Sequence, residues 1–241
     1  LLFDDMRGDM GGLAKQQAAI SHFVAGHMKA TRLIVCPTYY TDDVVLDRFF
    51  GRRPQNYLED FGRLLDSKIE VFWTGEEVCA KQIDHAHLVR VSEQLHRKPF
   101  LWDNYPVNDG PRMSQHLHLR AFTGRSHRIA DSVSAHAINP ALQPLLSRIP
   151  ALSLADSYKS KGKYAYGAAF PKAAKKVLGK QLAVSVQGDL ISLQDTGLDR
   201  LGERAQKLRE KYADFDHAGA REIVAWLDGR WRIEPQQLGH V

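Results

Sequence analysis

Residues 1–5 read LLFDD, three apolar residues suited to a buried strand and then two adjacent carboxylates. The same order of apolar run and then polar or aromatic side chains recurs along the chain. Residues 33–36 lead to Thr38, Tyr39 and Tyr40, residues 69–73 to Thr74 and Gly75, residues 100–102 to Asp103 and Asn104, and residues 133–138, the least clear, to Asn139. These runs begin roughly 30–37 residues apart, and the segments 13–28, 57–65 and 86–95 between the first four carry apolar residues at helical spacing. Strand alternating with helix predicts βα units around a parallel sheet.

That period fits both a closed (β/α)8 barrel and an open doubly wound sheet. In a barrel, groups at the C-terminal strand ends form a ring and converge on one pocket, whereas an open sheet gathers them at a switch point, usually with a glycine-rich phosphate loop. No GxGxxG or GxxxxGK[ST] occurs. The expectation is an α/β fold of TIM-barrel type with about five of the eight strands present, three more preceding Leu1. Beyond residue 158 the spacing becomes helical over 164–193, 198–212 and 218–231. The expected organisation is the C-terminal part of the barrel over 1–158 and a helical appendage over 159–241. Five strands alone would leave two sheet edges open, so residues 1–241 expressed by themselves are expected to be poorly soluble and inactive until the upstream segment is supplied.

An apolar fraction of 44% and a charged fraction of 25% are those of an ordinary packed protein. No apolar run is long enough to span a membrane, and the opening residues lack a basic leader, so cytoplasmic and secreted locations both stay open. Two cysteines, Cys36 and Cys79, cannot make a disulfide framework and read as strand-adjacent packing residues. The net charge of +5 comes largely from lysines between 159 and 180, spaced as on a solvated helix face, so no nucleic-acid partner is expected.

The sharpest chemical feature is the pair Asp4 and Asp5. Two carboxylates side by side repel, one pKa should rise, and a raised carboxyl can act as a general acid at neutral pH. Such pairs also cap helices or bind Mg²⁺, and a metal-dependent hydrolase remains an alternative at this stage. An ordinary retaining glycosidase places its two carboxyl groups about 5–5.5 Å apart across the scissile bond, usually on different strands. Neighbouring residues approach from one side and suit the substrate-assisted exception, in which the 2-acetamido oxygen of the sugar is the nucleophile.

Five segments together resemble the family 84 glycoside hydrolases, the O-GlcNAcase and bacterial hyaluronidase-like β-N-acetylglucosaminidases: LLFDDM, CPTYY, IEVFWTGEEV, LWDNYPVND and INPALQ, in family order from Leu1 to about residue 158. The resemblance implies a retaining exo-β-N-acetylglucosaminidase acting on terminal N-acetylglucosamine of a glycan or glycoprotein through an oxazoline intermediate, without cofactor or metal. It implies that Asp4 orients the acetamide, that Asp5 is the general acid and then base, and that Tyr40 bonds the acetamide oxygen. Trp102 would be the aromatic floor and Asn104 a polar contact of the same pocket, with Thr74 and Val78 as the flanking wall. Asp109 would hold O4 and O6 of the sugar, and Asn139 its O3 or O4. Tyr39 stands where the family usually has Glu, and Glu76 and Glu77 where it has Pro and Lys, which bears on the aglycone. The rival reading is a pseudoenzyme or fragment that binds the sugar without turnover. Oligomeric state is left open, a homodimer included.

Two HxH pairs, His85 with His87 and His116 with His118, have metal-like spacing. The first lies in a helical segment, where i and i+2 diverge, and the second has no evident carboxylate partner, so neither is assigned a metal. No GxSxG elbow occurs. Trp226 and Trp231 are expected to serve as helical core contacts rather than sugar platforms.

Overall fold

The computed structural model describes residues 1–234 and divides into two compact units. The first unit comprises Leu1–Asn104 and Gly124–Ile138, the second Tyr105–Thr123 and Asn139–Val241.

In the first unit the chain runs α1 (Leu13–His27), β1 (Ile34–Val35), α2 (Val45–Phe50), α3 (Tyr57–Leu64), β2 (Glu70–Trp73), α4 (His85–Leu95), β3 (Phe100–Asp103) and β4 (Ala135–Ile138). All pairings are parallel, and the strands lie in chain order β1-β2-β3-β4. A doubly wound sheet reverses its strand order at a switch point, whereas a barrel adds each strand beside the last, so this order is consistent with a barrel-like sheet. The segment expected to be the first strand is reduced to one parallel bridge between Leu2 and Cys36, held by Phe3 N to Cys36 O and Cys36 N to Leu1 O, each 2.9 Å. The second expected strand shortens to Ile34–Val35.

One face of β2 and β3 is fully buried, carrying Val71, Trp73, Leu101 and Asp103. The other is half-buried and carries Phe72, Phe100 and Trp102, with ring centroids 5.0 Å apart for Phe72 and Phe100 and 4.9 Å for Phe72 and Trp102. This alternation is the period-two pattern of a strand. Helix α3 buries Tyr57, Leu58 and Phe61 and approaches the end of α4 so closely that a Cβ on Gly62 would lie 2.3 Å from the Leu95 carbonyl oxygen. Arg97, just past α4, donates to the carbonyls of Gly62, Leu65 and Asp66, acceptors at the end of α3, and to that of Ile69 just before β2. Helix α2 lay outside the expected helical segments. Cys36 is buried as expected, but Cys79 is exposed and is no packing residue, because it sits in the turn after β2 rather than on a strand.

The second unit is helical: α5 (Arg148–Lys159), α6 (Tyr166–Leu178), α7 (Lys180–Gly188), α8 (Glu203–Ala213) and α9 (Ala218–Leu227), with a π-helical turn over Ile191–Thr196. Its core joins Leu117, Leu119 and Ile149 to Phe170, Ala174, Val186, Tyr212 and Ile223. Trp226 is buried in that core and donates its indole N–H to the Ser114 carbonyl at 3.0 Å, while Trp231 packs partly buried against it. Among the described residues no helix is long and apolar enough to cross a membrane.

Candidate active site

Asp4 and Asp5 follow directly on the Leu2 bridge, in a turn that puts Asp5 at φ 55°, the left-handed region. Aspartate tolerates that region better than branched or bulky residues. Asp4 is half-buried and Asp5 exposed. Burial pushes the Asp4 carboxyl above its usual range, and the charge of Asp5 adds to the rise.

The turn rests on a buried polar network. The Thr38 hydroxyl donates to the Phe3 carbonyl at 2.7 Å and accepts from the Gln17 amide at 2.6 Å. The Tyr57 hydroxyl donates to the Gln17 side-chain oxygen and accepts from Thr38 N at 3.1 Å. Each of these side chains is buried, and a fully satisfied network of this kind holds a turn rigidly. It ties α1 and α3 to the residue immediately before the pair.

Tyr40 is half-buried, and burial together with the charges of Asp5 and Asp4 pushes its hydroxyl well above the usual tyrosine range. It is therefore a neutral donor beside two carboxyl groups. The Tyr40 carbonyl accepts from Thr74 N at 2.9 Å and from the Thr74 hydroxyl at 3.4 Å. That hydroxyl also lies 3.3 Å from the Glu77 carbonyl, and the Thr41 hydroxyl donates to Gly75 O at 2.7 Å. Thr74 thus engages its hydroxyl with backbone, stitching the loop after β1 to the loop after β2. The Asn104 amide donates to the Val78 carbonyl at 2.7 Å, and Val78 N donates to Asp43 at 3.4 Å. Trp102 stands half-buried on β3 with its ring edge-on to Phe72.

Asp109 and Asn139 belong to the second unit, Asp109 exposed and Asn139 half-buried. The loops that carry them are joined by the buried side chain of Asn108. Of the histidines with metal-like spacing, His85 contacts the Ser132 hydroxyl at 2.8 Å and His87 accepts from the Trp73 indole at 2.9 Å. His116 and His118 contact the carbonyls of Gln194 and Pro106. Among the described residues no group of three or more His, Cys, Asp or Glu is placed to hold a metal ion.

A family model described as beta-N-acetylglucosaminidase matches residues 5–188, more than half of the chain. The chain belongs to the β-N-acetylglucosaminidase family. Protein O-GlcNAcase of Mus musculus is 28% identical over 169 residues, which cover 66% of this chain and 18% of that protein, and the Rattus norvegicus protein matches to the same extent. The chain therefore spans under a fifth of the length of these relatives. A mutant of the Thermobaculum terrenum O-GlcNAc hydrolase superposes with a TM-score of 0.71 at 25% identity, covering 95% of this chain and 57% of that one. CpGH84B, with a TM-score of 0.66 and 23% identity over 94% of this chain and 46% of its own, shares the fold. The parallel sheet and these likenesses are consistent with a TIM-barrel-like domain.

In this β-N-acetylglucosaminidase domain the motifs do not show what several supporting residues do. Gln17 left a signal, since it is the amide on the α1 face that also buries Leu13, Ala14, Ala18 and Ser21. Asp103 is a carboxylate on the buried face of β3, bonded by Arg125 through two 2.7 Å contacts and by His136 at 3.0 Å. Arg125 also donates to the carbonyls of Ala80 and Lys81, each at 2.7 Å. Asn108 stands inside the quoted LWDNYPVND segment, but its bracing role is not legible there, because its partners are backbone groups and a glutamine far along the chain.

Proposed function

We propose that the chain supplies the catalytic carboxylates of a retaining exo-β-N-acetylglucosaminidase of O-GlcNAcase type, working by substrate-assisted catalysis. The observation that carries this reading is the adjacent Asp4 and Asp5 pair in the turn after the Leu2–Cys36 bridge, whose charges act on the neutral hydroxyl of Tyr40, in a chain of this family. In the first step the acetamide oxygen of the sugar attacks the anomeric carbon as the bond to the leaving oxygen breaks. Asp5 gives its proton to that oxygen, while ionised Asp4 accepts the acetamide N–H and Tyr40 donates to the acetamide oxygen. The product is an oxazoline, the acetamide nitrogen having passed its proton to Asp4. Asp5, now a carboxylate, then takes a proton from water, whose oxygen attacks the anomeric carbon from the face the leaving group vacated; the bond from that carbon to the oxazoline oxygen breaks and Asp4 returns the proton to nitrogen, restoring the acetamide with retained configuration.

Trp102 and Asn104 would form the acetamide pocket with Val78 beside it, and Thr74 would hold its wall through the backbone. Asp109 and Asn139 would bind the ring hydroxyls. The substrate class is terminal N-acetylglucosamine on a glycan or a protein.

The test is leaving-group dependence in the full-length protein. Protonation matters only when the departing oxygen is basic, so Asp5→Asn should lose about 10²–10⁴-fold on alkyl glycosides and far less on activated aryl glycosides. Asp4→Asn should slow both. Equal losses for Asp5→Asn on both substrates, in a folded protein, would remove Asp5 from the role of acid. A wild type that binds the sugar and turns nothing over would support the pseudoenzyme instead.

A further inference from the structure

Asn108 is completely buried, although its neighbour Asp109 is exposed. Its amide nitrogen donates to the His116 carbonyl at 3.0 Å and to the Gln143 side-chain oxygen at 2.9 Å, and its oxygen accepts from Leu142 N at 2.9 Å. A primary amide has two donors and one carbonyl, and here every group is used, which no other side chain of that size can reproduce. Leu142 and Gln143 lie in the loop that starts at Asn139. That loop is fixed at its far end by Ser147, whose hydroxyl accepts from Ala141 N at 3.0 Å and donates to Gln143 O at 2.8 Å. The stretch from His116 is anchored in turn, with Leu119 N and Arg120 N both donating to the Gln194 side chain at 2.9 Å. One buried side chain therefore joins the loop bearing Asp109 to the loop bearing Asn139, both within the second unit.

We propose that Asn108 is a positioning residue, which sets the spacing between Asp109 and Asn139 and through it the recognition of the sugar's ring hydroxyls. This rests on the assignment of those two residues to the sugar under the proposed function. Asn108 does not touch the reacting atoms. Its loss should weaken binding in ground and transition state alike, raising KM rather than lowering kcat.

The experiment is a double-mutant cycle in the full-length protein, read both as KM and kcat on an aryl N-acetylglucosaminide and as the Kd of N-acetylglucosamine by calorimetry. Asn108→Leu removes all three bonds at similar volume and should raise KM and Kd about tenfold, while changing kcat by less than about twofold. In an Asp109→Ala background the same substitution should change either constant by less than about twofold, since coupled residues are not additive. Gln143→Met removes one bond of the three and should give a smaller rise in the same direction, which decides the matter if Asn108→Leu does not fold. Additive effects, a fall in kcat at constant KM, or unchanged constants in the folded variants would overturn the proposal. A wild type that binds the sugar without turnover defeats the hydrolase reading alone, because the Kd cycle still decides the role of Asn108. A wild type that binds no sugar overturns both.

Discussion

At the scale of single residues, Asp4 and Asp5 occupy different surroundings although they are adjacent in the chain. Asp4 is half-buried, and its pKa is raised by burial first and by the charge of Asp5 second. To accept the acetamide N–H, Asp4 must be ionised. Activity should therefore fall on the acid side as pH drops through a pKa above the ordinary aspartate value of about 3.9. In the reactive form Asp5 carries the proton it gives to the leaving oxygen and is neutral, so its replacement by neutral asparagine should leave the acidic limb of kcat/KM on an activated aryl substrate in place. A limb that moves to lower pH in Asp5→Asn would show that Asp5 is ionised while Asp4 titrates, against its role as the acid. The left-handed backbone at Asp5 was not legible from residue types, because aspartate is common in many turn conformations.

At the scale of elements, β3 is held by the buried ion pair of Asp103 and Arg125, in which the side chains are 1% and 4% exposed. Burial alone would raise the Asp103 pKa, but the hydrogen bonds and charges of Arg125 and His136 hold it below the usual carboxylate range. Removing one partner leaves a buried charge uncompensated, so Arg125→Met should destabilise by about 3–5 kcal/mol in denaturant melts. The Asp103→Asn, Arg125→Met double variant should recover part of that loss. Equal destabilisation in the two would mean that the pair contributes only packing. Because the folded pKa is depressed, the stabilisation is complete above the unfolded value and is lost as pH falls through the folded one. Arg125 reaches Ala80 and Lys81 as well, so the same change should loosen the turn that follows Val78. A strand alternation predicts that residue 103 faces the same way as Leu101, yet it does not say which distant cation comes to meet it.

At the scale of the whole molecule, a substrate that carries its own nucleophile needs no metal. Turnover of aryl N-acetylglucosaminides should be unchanged by EDTA and by added Mg²⁺; loss in chelator that Mg²⁺ restores would make Asp4 and Asp5 metal ligands instead. The sequence by itself determined the order of βα units, the parallel sheet and the helical character of the later residues. These follow from local periodicity, which each segment carries within its own length: α1, α3 and α4 fall within a residue or two of the expected positions, and β2 to β4 within three. It also placed Asp4, Asp5, Tyr40, Thr74 and Asn104 just after the apolar runs, since a polar residue after an apolar run is a one-dimensional signal. Only the tertiary structure decided that the first segment pairs as a single bridge and that Gln17 and Tyr57 brace the acidic turn. It alone brought Arg125 to Asp103, and Asn108 to the Asn139 loop. Those choices depend on which distant donor reaches which buried acceptor, and a buried polar group is satisfied by proximity in space, which residue spacing along a chain does not encode.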